Sequence, residues 1–96
     1  MIVYVDADLE EIIPEFLDNR RRDIKTLTSA LDRGDLDTVL SMGHQMKGAG
    51  GSYGFDAISD FGGEMETAAK AGDTEAAMEA VRRLERFLAE VEVVYE

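Results

Sequence analysis

The chain has 96 residues, no cysteine, one proline, and 21 acidic against 10 basic side chains, for a formal net charge of −11. That length supports one small core and excludes a catalytic domain joined to a nucleotide-binding domain, while the missing cysteines exclude disulfide and thiolate-zinc staples and suit a reducing cytoplasm. The charge excludes an ordinary nucleic-acid surface, and with no apolar run near the ~20 residues a bilayer needs and no basic leader in MIVYVDADLEE, the expectation is a cytoplasmic monomer.

Residues 1–6 alternate apolar types and read as an extended N-terminal arm lying along the rest of the molecule, since a lone short strand finds no partner. A short helix is expected from Asp8 to Ile13. Pro14 suits a first helical turn, so a long helix is expected from there to Arg33, with Phe16, Leu17, Ile24, Leu27 and Leu31 as its buried stripe and Gly34 as its stop. Asp35 is a good N-cap for a helix running to about Gly50, and Gly50-Gly51-Ser52-Tyr53-Gly54 breaks it. From Asp56, Ile58, Phe61, Gly62, Met65, Ala68, Ala69 and Gly72 recur at spacings of three and four, which predicts a helix with a narrow, closely approached face. After Gly72-Asp73, the residues Ala77, Val81, Leu84, Leu88 and Val91 mark a last helix to about Val93. Residues 1–96 thus read as a single domain, all-α, an antiparallel up-down four-helix bundle with a short extra N-terminal helix.

The only histidine is His44. At about 100° per residue, Leu36, Val39, Gly43, Met46 and Gly50 point roughly 240° from it, so the core lies there and His44 sits at the solvent edge. Ser41 and Gly48 share its face, and Lys47 can swing its ammonium toward it. A histidine that accepts a phosphoryl group must be exposed, must present a lone pair, and needs room for a tetrahedral group. Gly48 supplies that room, and Lys47 a positive charge beside the incoming anion. Glycine costs about 1 kcal/mol against alanine inside a helix, so Gly43 and Gly48 imply steric reasons.

An isolated surface histidine is ordinarily just a surface histidine, with glycines that let helices approach. Against that stands a run from Thr38 to Phe55 without one Asp or Glu in a chain more than a fifth acidic; random placement gives this about one time in a hundred. Keeping acids from the histidine suits an anion-accepting surface that docks on an acidic partner pocket.

The string His44-Gln45-Met46-Lys47-Gly48-Ala49-Gly50-Gly51-Ser52-Tyr53-Gly54-Phe55 resembles the signature of histidine phosphotransfer (HPt) domains of two-component phosphorelays, with the resemblance extending over roughly residues 8–92. It implies a four-helix bundle, not an enzyme with its own nucleotide site, that takes a phosphoryl group from a receiver-domain aspartate or a kinase and passes it to another receiver. His44 would accept the group through Nε2, Lys47 would stabilise it, Gly48 would give clearance, and Gly54 would close the site end of the bundle. Glu66 matches the acid that, in the similar domain of chemotaxis kinases, accepts a hydrogen bond from the other ring nitrogen. Those domains carry a second histidine three residues earlier, where this chain has Gly63, so the general relay type is favoured. Helix position alone leaves Glu66 open between that role and an exposed ion pair with Lys70, four residues on.

Arg20, Arg21, Arg22 and Lys25 read first as a solvated face paired to nearby acids, and second as a border of the docking surface. Met42, Met46 and Met65 read as core fillers, with Met42 off the core axis. The acids do not face one another at metal-binding spacings, so no metal and no cofactor is expected here; a divalent ion such as Mg belongs, in the family, to the partner receiver. The expected partners are response-regulator receivers or a hybrid histidine kinase. The alternatives are an adaptor that binds receivers without being phosphorylated and an acceptor module cut from a larger kinase, the starting methionine favouring a free-standing protein.

Overall fold

A computed structural model describes all residues 1–96. In chain order it contains β1 (Ile2–Val5), a single 3-10 turn at Ala7–Leu9, α1 (Ile13–Asp32), α2 (Leu36–Ser52), α3 (Asp56–Lys70), α4 (Thr74–Glu90) and β2 (Glu92–Tyr95). Local chemistry sets the boundaries. Pro14 lies in the first turn of α1, where its missing N–H breaks no helical bond. Asp35 caps α2 by accepting from Thr38 N at 3.1 Å, and Asp73 caps α4 by accepting from Ala76 N at 3.0 Å. The connections turn on Gly34, Gly54 and Gly72, each at positive φ, a conformation that costs glycine little.

The stripes expected from the sequence meet in one core. Leu27 and Leu31 of α1, Val39 and Met46 of α2, Ile58 and Met65 of α3, and Val81, Leu84 and Phe87 of α4 are all buried. Phe55, at the tight α2–α3 turn, stacks on Phe16 with ring centroids 5.7 Å apart and meets Phe87 edge-on at 6.5 Å. Met42 is half-buried against this core rather than free on the surface. The basic patch on α1 is largely engaged locally: Arg20 pairs with Asp23 at 2.9 Å and lies over the Phe16 ring, and Arg21 pairs with Asp18 at 2.8 Å. No helix is long and apolar enough to cross a membrane.

Three expectations are corrected near the termini, the first being the short helix from Asp8 to Ile13, which is only the 3-10 turn at Ala7–Leu9, with Ile13 already opening α1. The N-terminal residues are not an unpartnered arm, and the last helix stops at Glu90 instead of running to Val93. β1 and β2 pair in parallel, with Ile2 opposite Glu92 and Val5 opposite Tyr95. Glu92 N donates to Met1 O at 2.8 Å and Ala7 N to Glu96 O at 2.9 Å, closing the ladder at both ends. The reason is topological: an up-down bundle of four helices returns the end of α4 to the start of α1. There the β-branched and aromatic run Val91-Glu92-Val93-Val94-Tyr95 is better satisfied by a strand than by another helical turn. The whole bundle serves as the crossover that a parallel pair requires.

The pleat puts Val3, Val5, Val93 and Tyr95 toward the core and leaves Ile2, Tyr4 and Val94 exposed. Val5→Ala, which removes two buried methyl groups, is therefore expected to cost about 2 kcal/mol in urea unfolding, against about 0.5 kcal/mol or less for Tyr4→Ser one residue away. Equal losses at the two positions would mean that the sheet does not present these faces.

Candidate functional site

His44 stands midway along α2, and its side chain is 72% exposed. It lines none of the molecule's cavities. The broadest of these, an open groove of about 750 Å³, runs along α3 toward α4 beside Lys47 and Gly63 and stops short of the imidazole. The histidine is therefore exposed and lies outside the cavities of the molecule.

Glu66, on α3, faces it. Its Oε2 lies 2.8 Å from His44 Nδ1, and its side chain is only 11% exposed. An ionised carboxylate only accepts hydrogen bonds, so Nδ1 carries the hydrogen, and in the neutral ring Nε2 then keeps the lone pair. The reading of Glu66 as an exposed acid is not what the structure has. The ion pair with Lys70 nevertheless exists, at 3.9 Å from Oε2, and Lys47 Nζ lies 3.8 Å from Oε1. One nearly buried carboxylate is thus shared by an imidazole and two ammonium groups. The hydrogen bond from His44 is the main reason that Glu66 ionises below the ordinary glutamate range; desolvation opposes it, and the charges of Lys70, His44 and Lys47 add to it.

Lys47 lies against α3 through both its backbone and the stem of its side chain. Ser59 Oγ on α3 donates to the Lys47 carbonyl at 2.6 Å, tying the backbone of α2 to its neighbour. Its side chain passes over Gly63, where an added Cβ would touch Lys47 Cδ at 3.7 Å. Gly48, on the histidine face, has nothing within 4 Å of where its Cβ would be, so the space beside the imidazole is open. Gly54 has φ +87° and turns the chain from α2 into α3. The structure therefore brings His44, Lys47 and Glu66 together, leaves Gly48 open beside them, and puts Gly54 at the end of the same pair of helices. The role of Ser59 has no sequence signal, because nothing in the α3 pattern marks its hydroxyl as facing the Lys47 carbonyl. No group of three or more His, Asp or Glu side chains is placed to hold a metal ion.

Because the Glu66 carboxyl is held below its ordinary range in the folded chain, its ionisation stabilises the fold above the unfolded-state pKa. That contribution disappears as pH falls through the lower, folded value. Urea unfolding of the parent protein followed from neutral pH into this acid window is expected to show a loss of stability that is smaller in Glu66→Gln. Identical pH slopes for the two proteins would remove the charge-assisted bond.

Comparison with protein-family models gives a match to the Hpt domain over residues 11–93. Searches among curated proteins and among solved structures found no match. Hpt domains are phosphocarriers in two-component signalling, working with receiver domains and kinases. With the match spanning all four helices, the chain belongs to the Hpt domain family.

Proposed function

We propose that this protein carries a phosphoryl group on His44 Nε2, taking it from the phosphoaspartate of one receiver domain, or from a kinase, and delivering it to the aspartate of another. The observation that carries the reading is the 2.8 Å contact between His44 Nδ1 and Glu66 on an otherwise exposed histidine. The Nε2 lone pair attacks phosphorus, the P–O bond to the donor carboxylate breaks, and that carboxylate leaves with the electron pair. The imidazole gains positive charge as the N–P bond forms, and Glu66 sits at the other ring nitrogen to balance it. Reversal of the same steps passes the group on.

Lys47 Nζ, within ion-pairing distance of Glu66 and on a flexible stem, is free to turn toward the phosphoryl oxygens once they arrive. Gly48 leaves the volume that those oxygens and the approaching receiver need. The exposed setting of His44, outside the cavities, accords with a macromolecular partner that brings its own pocket, and the acid-free run from Thr38 to Phe55 removes like charge from the contact. The divalent ion that such transfers use is assigned to the receiver, and this chain's residues supply only the acceptor nitrogen, its orientation and the nearby cations.

Incubating the protein with labelled phosphoreceivers tests the reading. Acid-labile, base-stable labelling is expected in the parent and none in His44→Gln, whose helical content and melting stay nearly unchanged. Retained label in that variant would overturn the assignment. Gly48→Gln is expected to slow transfer although it gains up to about 1 kcal/mol of helix stability. A Gly48→Gln protein that transfers at the parent rate would show that clearance is irrelevant.

A further inference from the structure

The seam between α2 and α3 contains two glycines that face each other. We infer that Gly43 and Gly62 are positioning residues for the acceptor histidine, setting the separation of the two helices across which Glu66 orients His44. The inference rests on the reading of His44 as the acceptor for its functional meaning, though not for its geometry.

A Cβ on Gly43 would lie 2.8 Å from Gly62 O, 2.9 Å from Glu66 N and 3.0 Å from Met65 Cβ. One on Gly62 would lie 2.6 Å from Lys47 N, 2.7 Å from Gly43 O and 2.8 Å from Met46 Cβ. The first two atoms met in each case are backbone, which cannot rotate aside as the tip of a side chain can. Two of them belong to Glu66 and Lys47, and Gly43 itself is bonded to His44. An ordinary carbon–oxygen contact needs about 3.3–3.6 Å, so a methyl group on Gly43 would push the helices apart by roughly 0.5–0.8 Å at this level, and one on Gly62 by roughly 0.6–0.9 Å. Added to the 2.8 Å between His44 Nδ1 and Glu66 Oε2, that retreat brings the pair to the limit of hydrogen bonding.

The neighbouring glycines show that helix composition alone is not the reason. Gly51 lies in the same helix as Gly43, and a Cβ there would meet nothing within 4 Å. Gly50 is more crowded still, but against Ser59 and Phe55, at the turn end of the seam. Two interior glycines that each cost about 1 kcal/mol in helix propensity are thus placed where the backbones of the site residues touch.

The test uses the full-length chain with alanine at each position, Gly43→Ala and Gly62→Ala, with Gly51→Ala as a control for helix propensity. Leu27→Ala, in the core of α1, serves as a control for lost stability. The nitrogen-15 shifts of the imidazole report the tautomer, and carbon-13 titration reports the Glu66 carboxyl. In both seam variants the His44 nitrogens are expected to move toward the free-histidine tautomer mixture and the Glu66 titration to move up toward the ordinary range. Phosphoryl acceptance from a labelled receiver should fall by about tenfold or more, as for other losses of an orienting partner. Gly51→Ala and Leu27→Ala should leave the imidazole signals in place.

Unchanged tautomer and titration in folded Gly43→Ala and Gly62→Ala would overturn the inference, as would an equal change in Leu27→Ala. If neither seam variant folds, the glycines are requirements of the fold rather than of the site, which overturns it equally. A parent protein that accepts no phosphoryl group would instead defeat the functional reading, while the imidazole signals would still decide the positioning role.

Discussion

The site depends on one constraint, the approach of α2 and α3 to backbone contact beside His44. A glutamate side chain is short, and helices packed through ordinary side chains keep their axes 8–10 Å apart. Where glycines meet across a seam the axes come closer, and a carboxylate rooted on one helix can reach an imidazole on the outer edge of the other. Glu66 is then buried by the same approach that aims it. Its charge is tolerated because the hydrogen bond from His44 and the ammonium groups of Lys47 and Lys70 surround it.

This arrangement separates stability from chemistry. The aliphatic and aromatic side chains that hold the bundle together face inward from all four helices, and the His44 imidazole faces outward from one of them. Exposure keeps the imidazole reachable and also leaves it conformationally free, so orientation has to come from a neighbour instead of from burial. Glu66 does this through Nδ1, leaving the opposite side of the ring unengaged. The cost of the glycines and of desolvating one carboxylate falls on the α2–α3 seam, while the α1 and α4 stripes bury Leu, Ile, Val and Phe side chains together with a few alanines.

The ends of the chain close the bundle by a different interaction. Two four-residue strands are marginal in isolation, but here their inward valines pack on a core already formed, and backbone bonds to Met1 and Glu96 extend the ladder. The pairing also ties the beginning of α1 to the end of α4, the two helices farthest apart in the chain. Val5 lies close to where a side chain on Gly54 would be, so the sheet sits against the turn that ends the α2–α3 pair.

Much of this was legible in the residues. Apolar periodicity and the caps at Gly34-Asp35 and Gly72-Asp73 located four helices, because these are local effects that a short stretch of chain decides for itself. Helical geometry put His44 on the solvent edge, Lys47 and Gly48 near it, and an acid-free run around it. What the sequence left open were contacts between segments distant in the chain. The strand at residues 2–5 lacked a visible partner because its partner lies some ninety residues on, at the far end of a bundle whose up-down course brings the two together. Glu66 stood between two roles because periodicity fixes a face and not a distance. Ser59 gave no sign at all, since its hydroxyl finds the Lys47 carbonyl only after the helices dock. By itself the sequence determined the helices and which side of their helix His44, Lys47 and Gly48 occupy. The tertiary structure alone decided that they meet, because hydrogen bonds and ion pairs act over a few ångströms, and that separation is set by how closely two backbones pack.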